Sequence, residues 1–63
     1  MNLQYWTAKA MQKYGGGFVD ALGLAVLRAD AFNYAKLKAA LPEIFERYET
    51  LAVQLKQEDD AKP

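Results

Sequence analysis

The 63-residue chain contains no cysteine, no histidine and no serine. Without cysteine there is no disulfide to staple a small core and no thiolate to hold a metal. Without histidine the commonest general base and the commonest metal ligand are both missing. Ser/His/Asp and Cys/His sets are therefore ruled out, and the two threonines, Thr7 and Thr50, stand apart from one another. Net charge is also missing, with eight basic residues against eight acidic ones. Such a balance offers no electrostatic footprint for nucleic acid or anionic lipid. Nor is there a long apolar run. Val19 to Leu27 is broken by Asp20 and falls far short of the ~20 residues that cross a bilayer. Met1 to Lys13 lacks the basic start and apolar middle of a secretory signal, so a cytoplasmic, intracellular location is the expectation.

A chain of this length forms one domain, and a core of this size supplies only ~3–5 kcal/mol. With disulfides and thiolate–metal sites excluded, the remaining way to stabilise it is association, with itself or with another protein. Charge is unevenly placed. Residues 1–40 carry Lys9, Lys13, Arg28, Lys36 and Lys38 against Asp20 and Asp30, while 41–63 carry six acids against Arg47, Lys56 and Lys62. Head-to-tail contact between copies is one reading of this; a solvated mixed surface is the simpler one.

What is present is helical. Asn2 is of N-cap type, and helical spacing then places Leu3, Trp6, Thr7, Ala10, Met11 and Tyr14 on one face. Gln4, Tyr5, Ala8, Lys9, Gln12 and Lys13 fall on the other. Gly15-Gly16-Gly17 ends this helix, as glycines taking the left-handed conformation would. No G-x-x-x-x-G-K-[ST] follows, so a phosphate loop is not indicated. From Phe18 to Ala29 the sequence is apolar on nearly every side, with Asp20 and Arg28 bracketing Leu24 four residues away in each direction. So apolar a helix needs cover on more than one side, and it reads as the central helix of the domain. Gly23 costs about 1 kcal/mol of helix propensity relative to alanine, which a close crossing by the first helix would justify.

Asp30 is an N-cap for a further helix. Tyr34, Leu37, Leu41, Ile44, Tyr48, Leu51 and Leu55 then recur at steps of three and four. Pro42 interrupts them. Either one kinked helix runs from Ala31 to about Gln57, or two nearly collinear helices, Ala31–Ala40 and Pro42–Gln57, meet there; the pair is preferred. Glu43 and Arg47 are spaced to form an i, i+4 pair. Residues 58–63 are charged and lack large apolar groups, and read as a flexible tail. The fold expected is thus all-α, a compact three-helix bundle over 1–57 with the third helix kinked or split at Pro42, giving three to four helices.

No catalytic, cofactor-binding or metal-binding set emerges. Glu43, Glu46 and Glu49 suit a solvent face, and Glu58, Asp59 and Asp60 lack the spacing of a calcium loop. Trp6, Tyr14, Phe18, Tyr34, Phe45 and Tyr48 fit core-facing positions. Tyr5 and Phe32 do not, Val53 lies on the outer side of the last helix, and Leu24 between Asp20 and Arg28 is left open as to cover; these four are the candidates for binding a partner. The first reading is a non-catalytic protein–protein interaction or assembly module, with a homodimer as one form. The alternative is a small DNA-binding regulator, in which the joint at Ala29-Asp30 serves as a helix-turn-helix and Asn33, Lys36 and Lys38 reach the bases.

The pattern Tyr5-Trp6-Thr7, Lys13-Tyr14-Gly15-Gly16-Gly17-Phe18, Ala21-Leu22-Gly23, Leu27-Arg28-Ala29-Asp30, Leu37-Lys38, Pro42-Glu43 and Tyr48 covers most of residues 5–48. It resembles small uncharacterised α-helical proteins encoded among phage or prophage genes of gut bacteria. These residues are helix anchors and turn residues, with no chemical motif among them. The resemblance implies a phage-associated setting and a role as an accessory or assembly component, and it carries over no functional residue.

Overall fold

Each helix start follows from a local rule. The Asn2 side chain accepts from the Tyr5 amide at 3.1 Å, and Asp30 accepts from the Asn33 amide at 2.7 Å. Both caps satisfy backbone donors that the first helical turn leaves free. In the computed structural model, which describes residues 1–62, the elements are α1 (Leu3–Tyr14), α2 (Gly17–Arg28), α3 (Ala31–Ala40) and α4 (Pro42–Asp60). Among the described residues the fold is all-α with four helices. Pro42 takes the first position of α4, where its missing amide hydrogen is not needed.

The break at Pro42 is sharper than the regular spacing suggests. Leu41 sits at φ −129°, ψ 57°, outside helical geometry, as the residue before a proline is pushed to be. The Tyr34 hydroxyl reaches Glu49 at 2.9 Å, and Lys38 reaches the same carboxylate at 2.8 Å. In collinear helices the backbones at 34 and 49 would lie roughly 22 Å apart at 1.5 Å per residue. The helices therefore fold back on one another, and the expected collinear stripe is two short stripes facing each other. The Tyr34 and Phe45 rings meet there, with centroids 5.7 Å apart.

The centre of the molecule is α1 rather than α2. Thr7, Ala8, Ala10 and Met11 are all fully buried, because α1 packs against α2 on one side and α4 on the other. Ala8 was expected on the polar face, but two facing helices need two buried stripes. Small side chains at 7, 8 and 10 let both neighbours come close. α4 contributes Phe45, Tyr48 and Ala52 to this core. α2 contributes only Leu22, Gly23 and Val26 as buried residues.

Two glycines hold α1 and α2 together for steric reasons. A Cβ on Gly23 would lie 2.8 Å from Met11 Cβ and 2.9 Å from the Ala8 carbonyl oxygen. This is the close crossing that the cost of Gly23 pointed to. A Cβ on Gly15 would lie 2.5 Å from both Met11 O and Val19 Cγ1. No glycine has a positive φ. The left-handed helix end expected at Gly15–Gly17 is thus replaced by an extended turn, with Gly15 at φ −79°, ψ 155°. Lack of space, not backbone handedness, makes Gly15 necessary.

The Gln4 amide nitrogen donates to the Val26 and Ala29 carbonyls at 3.0 and 2.6 Å. The start of α1 thereby caps the end of α2, where the Val26 carbonyl otherwise accepts only a 3.2 Å bond from the Ala29 amide. This contact also fixes α1 and α2 as an antiparallel hairpin. α4 runs three residues beyond Gln57, into the stretch read as tail, where Lys56 and Asp60 pair at i, i+4. Pro63 of that tail lies outside the described residues. Arg47 lies over the Tyr48 ring, 5.9 Å from its centroid, and makes no pair with Glu43 among the described residues.

Candidate interaction surface

The outer side of α2 is the feature that the fold leaves unexplained by packing. Val19, Leu22, Gly23 and Val26 form the side turned to α1. The opposite arc carries Phe18, Ala21, Leu24, Ala25 and Leu27, all exposed. Phe18 is 66% exposed, Leu24 46% and Leu27 39%. Phe18, expected in the core, sits on the first turn of α2 at the edge of the buried arc and points outward. Tyr14, also expected in the core, is exposed on the last residue of α1, where Lys13 covers its ring at 5.3 Å. The total surface, 4218 Å², is close to the ~4,100 Å² ordinary for a monomer of 7.1 kDa. The bare face therefore does not come from a splayed chain. It comes from placing the most apolar helix at the edge.

α3 follows α2 across the short joint at Ala29-Asp30 and has no fully buried residue. An open groove of about 550 Å³ separates them, bordered by Ala25, Arg28 and Ala29 on α2 and by Asn33, Lys36 and Leu37 on α3. Phe32 is 68% exposed at the start of α3, with the Lys36 ammonium 4.4 Å from its ring centroid. A cation over an aromatic face at an exposed site is favourable by about 0.5–1 kcal/mol. Phe18 and Leu24 lie on the exposed arc of α2 and Phe32 at the start of α3, while Arg28 and Lys36 border the groove itself.

The other two candidates lie elsewhere. Tyr5 is exposed on α1, but its ring stands edge-on to Trp6 with centroids 5.2 Å apart. Lys9 lies 5.9 Å from the Tyr5 ring centroid. Val53 borders a separate shallow groove with Leu3, Pro42 and Thr50. The four candidates are all exposed but do not form one site.

Polar chemistry is concentrated where α3 meets α4. Glu49 was expected at the solvent face, yet it is half-buried and accepts from both Tyr34 and Lys38. Burial pushes the Tyr34 hydroxyl up to about 12, reinforced by its hydrogen bond to Glu49 and by the Glu49 charge. The neighbouring Thr7 hydroxyl opposes this slightly without reaching hydrogen-bond geometry, for its Oγ1 is buried and unpartnered. The cluster works as a latch holding α3, with both Glu49 bonds committed within the chain. Among the described residues no three Asp or Glu side chains converge in a way that would hold a metal. No described helix is long and apolar enough to cross a membrane.

No protein-family model, curated protein or solved structure matches the chain. The surface is therefore read from its own chemistry. Composition alone could have shown that α2 is too apolar to be a free surface helix. It could not show which helix would cover it, because that depends on the small residues of α1.

Proposed function

We propose that the protein is a non-catalytic protein–protein interaction or assembly module, acting through the outer face of α2 and the adjoining start of α3. One observation carries this reading: the most apolar helix lies at the edge of the fold with Phe18, Leu24 and Leu27 bare. Contiguous exposed apolar surface of this kind marks contact sites in small proteins. Aromatic side chains at such a patch are typical anchors of binding energy. A phage-associated setting, which the resemblance of residues 5–48 implies, would suit an assembly role.

A DNA-binding regulator would use Asn33, Lys36 and Lys38 on the same side. The hydrogen bonding speaks against it, because Glu49 holds Lys38 and Lys36 lies over Phe32. The two readings separate in one experiment. A benzophenone amino acid is placed at Leu24 or Phe32 in cells of the source organism, with Gln57 as the control position. Adducts to a polypeptide at 24 and 32 but not at 57 are expected. Absence of polypeptide adducts, together with retardation by mixed duplex DNA at low salt, would overturn the proposal in favour of the regulator.

A further inference from the structure

We propose that the outer face of α2 is a homodimer interface, in which α2 of each copy packs antiparallel with Leu24 at the two-fold axis. This rests on the interaction reading above and names the occupant of the surface.

A two-fold contact uses the same patch twice, so the patch must be complementary to itself. In an antiparallel helix pair centred on Leu24, the residue four positions before it meets the residue four positions after it on the second copy. Those residues are Asp20 and Arg28. Both are exposed on the arc that carries Leu24, and neither has an ion-pair partner among the described residues. One axis thus creates two equal Asp20–Arg28 pairs, about 6 Å to either side of Leu24 at 1.5 Å per residue. A parallel pair would set Asp20 against Asp20 and Arg28 against Arg28, which like-charge repulsion disfavours.

Sterics point the same way. Ala21 and Ala25 occupy the arc beside Leu24 and leave room for the two Leu24 side chains to pack at the axis, with the helices about 10 Å apart. In this register Leu27 of one copy shares a layer with Ala21 of the other, a large side chain beside a small one. Phe18 is carried to the α2–α3 joint of the second copy, at Asp30. The shared face covers only one short helix of 12 residues. Association is therefore expected to depend on concentration, as small interfaces do.

The test is sedimentation equilibrium of the full chain from low micromolar to millimolar concentration. The mass is expected to rise from 7.1 kDa to twice that value and stop. Asp20→Lys and Arg28→Glu each set like charges against one another, so each alone should weaken association at least ~tenfold. Mixed in equal amounts, the two variants carry complementary faces and should regain the dimer. Circular dichroism shows whether each variant is folded. A second measurement is independent of charge: Leu24→Cys introduces the sole cysteine of the chain. Facing positions near the axis fall within the ~7 Å Cα separation that a disulfide allows. Oxidation should link that chain to itself much faster than a Val53→Cys chain.

A mass that stays at the monomer value, or climbs past the dimer, overturns the proposal. Folded charge variants that fail to recombine, or equal oxidation rates at 24 and 53, do the same. A monomer that still yields foreign-polypeptide adducts at Leu24 removes the homodimer and leaves the interaction reading standing. A monomer with no polypeptide adducts removes both.

Discussion

Replacing Gly23 by alanine sets two physical effects against each other. Alanine is favoured over glycine inside a helix by about 1 kcal/mol, so propensity alone predicts a more stable protein. The new Cβ, however, would stand 2.8 Å from Met11 Cβ, 2.9 Å from the Ala8 carbonyl oxygen and 3.1 Å from Gln12 Cγ. Gln12 can swing aside. Met11 Cβ and the Ala8 carbonyl belong to the rigid frame of α1, so α1 itself must move by roughly 0.5–0.8 Å to restore ordinary contact. It has little room to move, because Thr7, Ala8, Ala10 and Met11 are fully buried between α2 and α4. Overfilling a packed core costs about 1–3 kcal/mol. Set against the propensity gain, the expected net loss is up to about 2 kcal/mol, a large share of the ~3–5 kcal/mol that a core of this size supplies. For a domain this small, the thermal midpoint should fall by up to about 15 °C. The measurement is urea unfolding at two protein concentrations, so that association is separated from folding. Gly17→Ala is the control: a Cβ there has nothing within 4 Å, so it should be neutral or stabilising by up to about 1 kcal/mol. A Gly23→Ala protein as stable as Gly17→Ala would refute the close crossing.

Two further outcomes follow from the polar groups. Thr7→Val removes a buried hydroxyl that has no partner and keeps the side-chain shape, so urea unfolding should show a gain of about 1 kcal/mol; a loss of that size would mean the hydroxyl is bonded after all. Tyr34 keeps its proton to a higher pH when folded, up to about 12 against 10 in the unfolded chain. Its contribution is therefore complete below pH 10 and is lost as pH rises from 10 to 12, because the unfolded state there binds fewer protons. After allowance for solvent screening this loss is on the order of 1 kcal/mol. It should be smaller in Tyr34→Phe, measured as urea midpoint against pH, and an identical decline in both proteins would contradict the latch.

What the sequence showed well was local. Asn2 and Asp30 as caps, Pro42 as a first helical residue and Gly23 as a crossing point depend on atoms a few residues away or on sterics that glycine announces. What it showed badly depended on distant partners. Gln4 looks like an ordinary surface residue, and only the antiparallel α1–α2 hairpin makes it the cap of α2. Glu49 reads as solvated until α3 folds back across α4. α2 reads as central because it is the most apolar segment, yet it lies at the edge of the fold, with α1 packed between it and α4. Hydrophobicity measures how much cover a helix needs, not how much its own chain provides. The small residues of α1 decided the matter, and small residues carry a weak signal in a helical pattern. That mismatch is also what exposed the candidate surface. Leu24 is bare because α1, not α2, occupies the middle.

The most direct measurement of that claim is the unfolding free energy of Leu24→Gln beside Leu22→Gln, two residues apart on the same helix. It is taken at protein concentrations low enough to keep the chain monomeric. With Leu22 only 8% exposed against α1, its replacement should cost about 2–5 kcal/mol, as emptied and polar-filled core sites do. Replacement of Leu24 should cost no more than about 1 kcal/mol, as at a surface position. Comparable losses at both positions would mean that α2 is covered on both sides, and the outer face would no longer stand as a binding surface.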